Sequence, residues 1–314
     1  MIKKFFAVII CAVFVNFFSA CLAQNSVTET KTKENSQMTS EKFFADSVLL
    51  NSGYNMPRFG FGTWTLNDNE AEECVYYALK VGYRLIDTAR YYGNEVGVGR
   101  GVKRAIADGI ATREEIFVTS KIMPGNYNSP DAAIDNSLDS LGLDYIDLML
   151  IHQPGYNDEE VYHALERGVK SGKLRSIGIS NYYTPKDFDR IRNIATIMPA
   201  VVQNENHPYY QNSNFKAYVE KFGTVVESWY PLGGRGNTQK IFSNDTIQQL
   251  AKKYSKSPAQ IVLRWQFQDG YIAIPGSKNK NHIAENFNIF DFMLTADEMN
   301  LMRGLNKNHR FENW

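Results

Sequence analysis

Four residues able to hold or move a proton stand at or just beyond the ends of short apolar runs. Asp87 closes Arg84-Leu85-Ile86, Tyr92 follows it by five positions, Lys121 comes after Ile116-Phe117-Val118-Thr119-Ser120, and His152 comes after Ile146-Asp147-Leu148-Met149-Leu150-Ile151. A free tyrosine titrates at about pH 10, so it is a poor acid or base at neutrality unless a cation stabilises the phenolate. Lys121 can supply that cation, Asp87 can keep Lys121 charged and in place, and His152 can donate a hydrogen bond that orients a substrate oxygen while Tyr92 delivers a proton. That set suits protonation of a carbonyl oxygen as hydride arrives at carbon, and it leaves the hydride donor unnamed. Taken singly, a buried Asp-Lys couple is more often structural and a histidine after an apolar strand is more often a satisfied core residue. Four such groups on one face point to a site.

The elements that must position them alternate. From Phe59 onward, strand-like runs (61–63, 84–87, 116–119, 146–151, 176–179, 200–203, 225–228 and 271–274) are separated by amphipathic stretches such as 69–81, 131–141, 159–171 and 257–268. Alternation of this kind builds a parallel sheet with helices outside, and about eight strands fit a single closed (β/α)8 barrel, here with a short N-terminal β-hairpin. In such a barrel the C-terminal strand ends face one mouth, which is where Asp87, Lys121 and His152 fall. Ser129-Pro130, Thr184-Pro185 and Ser257-Pro258 read as helix starts. Gly97-Val98-Gly99-Arg100-Gly101-Val102 imitates a dinucleotide fingerprint but has Val102 where the third glycine belongs; it reads as a helix whose glycines let it pack closely on the barrel.

Composition narrows the partners. The 314 residues carry 34 Lys plus Arg against 34 Asp plus Glu, and this balance argues against nucleic acid, whose binders need a basic excess. Lys3 and Lys4 precede an apolar run from Phe5 to Phe18, followed by small residues to Ala23, the pattern of a secretory leader and too short for a comfortable membrane span. The expected division is a leader over 1–23, a polar tether over 24–42 and the barrel over 43–314. Three routes stay open: cleavage after Ala23, a lipid anchor on Cys21, or a start at Met38 that leaves the protein in the cytoplasm. The first two export it to the periplasm or the membrane surface. Cys74 alone remains in the body and reads as a packed core thiol.

At these residues the chain resembles the aldo-keto reductase family over Val48 to about Asn306. Phe61-Gly62-Thr63-Trp64, Gly82 to Ala89 with Tyr92, Asn94 and Glu95, Val118 to Lys121, and Leu150 to Pro154 follow the family's ordered motifs. The resemblance implies NAD(P)H-dependent reduction of aldehydes and ketones, with the tetrad Asp87, Tyr92, Lys121 and His152 and with Tyr92 as general acid. It implies that Ser180, Asn181 and Gln203 bind the nicotinamide carboxamide and that Trp229 stacks on the ring. Leu232 and Gly233, with Gly234, are placed at the pyrophosphate, and Ser277, Lys278, His282, Glu285 and Asn286 at the adenosine end. Trp64, Tyr91 and Gln153 are placed at the substrate.

Some positions depart from the family pattern. Gly276 and His282 stand where basic residues are usual around a 2′-phosphate, with Lys278 and Lys280 as the compensating cations, so a weakened preference for NADPH is expected, NADH being usable. Gln153 and Tyr230 also depart. The short segment after the last helix leads us to expect a cavity open on one side and broad activity. The competing reading is a catalytically weak nicotinamide-binding or partner-binding barrel in the cell envelope. A glycosidase needs two opposed carboxylates, whereas the fourth strand ends in His152 and Glu227 lies within the seventh. The five histidines show no metal-ligand spacing. Export would place the barrel where reduced nicotinamide is not expected to be plentiful.

Overall fold

The computed structural model describes residues 47–123, 125 and 127–313; the expected leader, the tether, Cys21 and residues 43–46 lie outside the described residues. A hairpin, β1 (Ser47–Leu49) against β2 (Asn55–Pro57), precedes eight parallel strands. These are β3 (Gly60–Gly62), β4 (Leu85–Asp87), β5 (Phe117–Ile122), β6 (Ile146–Ile151), β7 (Leu174–Ser180), β8 (Val201–Glu205), β9 (Val225–Trp229) and β10 (Ile272–Ala273). Each pairs with the next in chain order, and the parallel bridge Phe59↔Ala273 closes the ring. No helix among the described residues is long and apolar enough to cross a membrane.

Side chains alternate across a strand, so every second residue faces the barrel axis. One parity, with Ile86, Val118, Met149, Ile177, Val202 and Val226, packs under the surrounding helices. The other fills the interior: Leu85, Phe117, Leu148, Leu150, Val201 and Ile272 form an apolar plug, completed by Leu50 and Met56 of the hairpin segment. Further along the same parity, two positions on or, for Lys121, four, stand Asp87, Thr119 and Lys121, Gln203 and Glu227, all buried. The polar layer thus rests on a buried apolar floor.

The helices start as expected at three prolines, Pro130, Pro185 and Pro258, each in the first turn. Thr184 and Ser257 complete capping boxes with Asp187 and Gln260, whereas Ser129 makes no side-chain cap. The glycine run at 97–101 lies in a helix, Glu95–Ala107, and packs on neighbouring helical segments rather than on the barrel strands. A Cβ at Gly97 would sit 2.0 Å from Asp68 O, and one at Gly99 2.0 Å from Leu141 O. Cys74 is buried, as a core thiol should be.

Candidate active site

Asp87 ends β4, Lys121 is the penultimate residue of β5, and His152 follows β6 directly. Tyr92 closes a 3-10 turn, Arg90–Tyr92, which Gly93 terminates in the left-handed region at φ 67°. Asn94 fixes that turn from below, its amide nitrogen donating to Thr63 O and Leu66 O at 2.9 Å each. The loop carrying Tyr92 and the loop carrying Trp64 are therefore held as one wall.

Lys121 is inaccessible to solvent, and its ammonium donates to Asp87 Oδ1 at 2.7 Å, Asp87 Oδ2 at 2.8 Å, Thr88 O at 2.9 Å and Tyr92 Oη at 3.2 Å. Burial, the largest single influence, pulls Lys121 toward neutrality, but the Asp87 charge, the neighbouring Tyr92 and the Asp87 hydrogen bonds together outweigh it and hold the ammonium above its ordinary value. Burial also pushes the Tyr92 phenol up to about 12, with Lys121 pulling against it. The cation thus limits the rise without reversing it, and Tyr92 is protonated throughout the neutral range. Burial, seconded by Lys121, holds His152 well below the usual imidazole value, so the ring is neutral at pH 7. Its Nδ1 is buried without a hydrogen-bond partner among the described residues. A neutral imidazole can orient an oxygen but has no excess proton to give; Tyr92 does.

These groups open into one cavity of about 760 Å³. Trp64, Tyr91, Tyr92, Met123, His152 and Gln153 line one part of it. Trp64 stacks on Tyr91 with ring centroids 5.8 Å apart and tilts against Tyr92 at 4.7 Å. Ser180, Asn181, Gln203 and Trp229 line the middle, and Ser277, Lys278, His282, Glu285 and Asn286 the far part. Lys121 lies beneath the wall.

Three of the expected contact residues have partners of their own within the protein. Asn181 spends its amide inside the protein: Nδ2 donates to His152 O at 2.9 Å, and Oδ1 accepts from Tyr183 Oη at 3.0 Å and Trp229 Nε1 at 3.1 Å. It aims the indole and braces the histidine while itself lining the cavity. Gly233 does not line the cavity, because its N–H donates to Tyr230 O and the space where a Cβ would stand is closed by Ile241 and Phe311. Leu232 and Gly234 do line it. Lys280 is already paired, 3.3 Å from Glu73, which also holds Arg104.

Sequence reasoning missed Thr65, Leu66, Met123 and Arg235 in the lining, on loops whose course no local pattern fixes, and Thr238 and Phe242, at the two ends of a five-residue helix in the loop region after β9. Among the described residues none beyond Asn286 lines the cavity; the C-terminal segment packs instead at the end of β8, where Phe311 stacks on His207 at 4.3 Å and Glu205 accepts from the backbone of Phe311 at 2.5 Å. Among the described residues no group of three His, Cys, Asp or Glu is placed to hold a metal ion.

Residues 58–307 match the model of the aldo/keto reductase family. The chain belongs to that family. Over 305 residues this reductase is 39% identical to the NAD(P)H-dependent D-xylose reductase I,II of Candida tropicalis, covering 84% of this chain and 94% of the relative. It is 41% identical over 269 residues to glyoxal reductase of Bacillus subtilis, with the same coverage of 84% and 94%. The solved structure of a Bombyx mori aldo-keto reductase in complex with NADP matches with a TM-score of 0.80 at 35% identity, covering 85% of this chain and 94% of that one. The reductase shares with it the barrel whose closure carries Asp87, Lys121 and His152 to one mouth.

Proposed function

We propose that this reductase converts aldehydes and ketones to alcohols with a reduced nicotinamide dinucleotide, Tyr92 being the proton donor. The observation that carries the reading is the Lys121 ammonium, which spans both Asp87 oxygens and the Tyr92 hydroxyl beneath a cavity walled by a neutral histidine.

The residues present fit such a cofactor. Gln203 turns its Nε2 inward, donating to Asp87 Oδ2 at 2.8 Å and Glu227 Oε2 at 2.7 Å, which leaves Oε1 as the acceptor for a carboxamide N–H. Ser180 supplies a hydroxyl beside it, and Trp229, oriented by Asn181, offers a flat face on the same wall. Ser277, Lys278, His282, Glu285 and Asn286 supply polar contacts for the other end. When bound, reduced nicotinamide supplies the hydride.

The chain's own residues do the rest. His152 and Tyr92 receive the carbonyl oxygen in the cavity, with ring centroids 5.7 Å apart. Tyr92 Oη gives its proton to that oxygen, and the phenolate left behind is stabilised by Lys121, whose charge Asp87 maintains. Trp64 and Tyr91 exclude water from one side. The test is oxidation of NADPH by the purified chain with 4-nitrobenzaldehyde.

Two further expectations arise here. Lys278 lines the cavity with its side chain 77% exposed and only a loose 3.9 Å approach to Glu70, which makes it a cation able to meet a 2′-phosphate, whereas Lys280 pairs with Glu73 at 3.3 Å. Lys278→Ala should raise the KM for NADPH by about fivefold, one exposed charge-assisted contact, and leave that for NADH nearly alone. Steady-state KM values for both cofactors check this, and equal changes would remove Lys278 from phosphate recognition. Activity should also be broad, because the aromatic wall of Trp64 and half-exposed Tyr91 presents few directional groups. A panel of aromatic and aliphatic aldehydes tests it: one substrate favoured by a factor of about a thousand over the rest would mean a selective site.

A further inference from the structure

Beneath the cavity lies a carboxyl that the reaction described above does not use. Glu227 is wholly buried in β9, in register with Gln203 of β8, and its Oε2 accepts from the Gln203 amide at 2.7 Å. Its Oε1 has no hydrogen-bond partner among the described residues. The second hydrogen of the same amide goes to Asp87 Oδ2 at 2.8 Å. Two carboxyl groups therefore hold one NH₂ group, and two anchors fix the plane of an amide where a single anchor leaves it free to turn about its last side-chain bond.

We propose that Glu227 is a positioning residue of this site: together with Asp87 it clamps the Gln203 amide with Oε1 toward the cofactor, and its charge state governs how readily Tyr92 releases a proton. The proposal deepens the reductase reading and rests on it only for the Tyr92 half.

The titratable groups facing Glu227 from the elements around it are Asp87 of β4, Lys121 of β5 and Tyr92 of the 3-10 turn; β8 contributes Gln203, and β10, paired at Ile272, brings no charge. Burial, and after it the Asp87 charge, pushes the Glu227 carboxyl up to about 8. At neutral pH it is thus a neutral acid with its proton on Oε1, the oxygen that Gln203 does not use. With Glu227 neutral, the charges of Asp87 and Lys121 cancel, and proton release by Tyr92 creates one net negative charge. With Glu227 ionised, the cluster is already negative, and the same release must add a second charge in a dry barrel. Glu227 is among the groups that raise Tyr92. Ionising it makes Tyr92 the poorer acid.

The experiment compares the parent with E227Q, which keeps an acceptor for Gln203 but cannot ionise, and E227L, which removes the acceptor. In the cofactor-free parent the infrared carbonyl stretch of a protonated carboxyl should be present at pH 7, disappear with a midpoint near 8, and be missing from E227Q. Absence of that band at pH 7 would overturn the charge half of the proposal. Quenching of protein fluorescence by NADPH should give a Kd raised about three- to tenfold in E227L, the scale of one buried hydrogen bond, and less in E227Q. Thermal unfolding confirms that each variant is folded. Equal affinity in all three would overturn the clamp. The kcat/KM of the parent should fall about tenfold from pH 7 to 9, whereas the E227Q profile stays flat; superimposable profiles would again defeat the charge half. If the parent reduces no carbonyl compound, the reductase reading fails by itself, while the infrared band and the cofactor titration still decide on Glu227.

Discussion

Tyr92→Phe is expected to lower carbonyl reduction by about 10²- to 10⁴-fold while cofactor affinity stays within about twofold. Among the described residues the phenol hydroxyl hydrogen-bonds one group, Lys121 Nζ at 3.2 Å, so its removal deletes the proton donor and costs roughly one hydrogen bond of stability. No neighbour can take over. His152 is neutral at pH 7, and Lys121 directs its remaining hydrogens at Asp87 and Thr88 O. Because burial pushes Tyr92 up to about 12, its own titration lies beyond the working range. The alkaline limb in the parent should therefore appear near 8, where Glu227 ionises, and not near the tyrosine value. Single-turnover oxidation of NADPH separates the two effects: turnover by the Phe variant within tenfold of the parent would remove Tyr92 from the chemistry.

Lys121→Met should be damaging twice over. The substitution fills the ammonium's space with an apolar chain and strands Asp87, a carboxylate wholly inside the barrel, without its cation. Removing one partner of a buried pair costs about 3–5 kcal/mol, which for a chain of this size lowers Tm by roughly 10 °C. The stranded Asp87 should take up a proton, because burial already pushes its carboxyl upward and Lys121, ahead of the Gln203 amide, is the main group opposing that. Turnover should be lost as well, since the phenolate formed at Tyr92 has no counter-charge. The double variant Asp87→Asn/Lys121→Met distinguishes the two roles. It should recover most of the stability, because no unpaired charge remains, and none of the activity. Thermal unfolding beside the aldehyde assay reads both, and recovery of turnover in the double variant would reduce the pair to a structural element.

The ion pair illustrates how much of the site was legible in the residues alone. Asp87, Lys121 and His152 were readable because each ends or closely follows an apolar run, and a barrel carries such positions to one mouth whatever its loops do. Helix starts at Pro130, Pro185 and Pro258 were equally local, set by a ring that fixes φ. The glycines at 97 and 99 also declared a close approach, although whether the partner was a helix or a strand depended on packing. Asn181 shows where local reading ends. Its type and place were right for contacting a ligand, yet its amide is used on Tyr183, Trp229, His152 and Ser180, because chain closure brings those groups within reach.

The sequence by itself determined the order of strands and helices, the identity of the four groups at the mouth and the family to which they belong, since these rest on side-chain type, period and short spacing. The tertiary structure alone decided which way Gly233 faces, which amides remain for a ligand, and the protonation of Tyr92, His152 and Glu227. It alone set Gln203 between Asp87 and Glu227, partners separated from it by 116 and 24 positions along the chain. The physical reason is that a pKa and a hydrogen-bond partner depend on distance and on the exclusion of water, and in this barrel both are set only when β10 meets β3 and closes the dry interior.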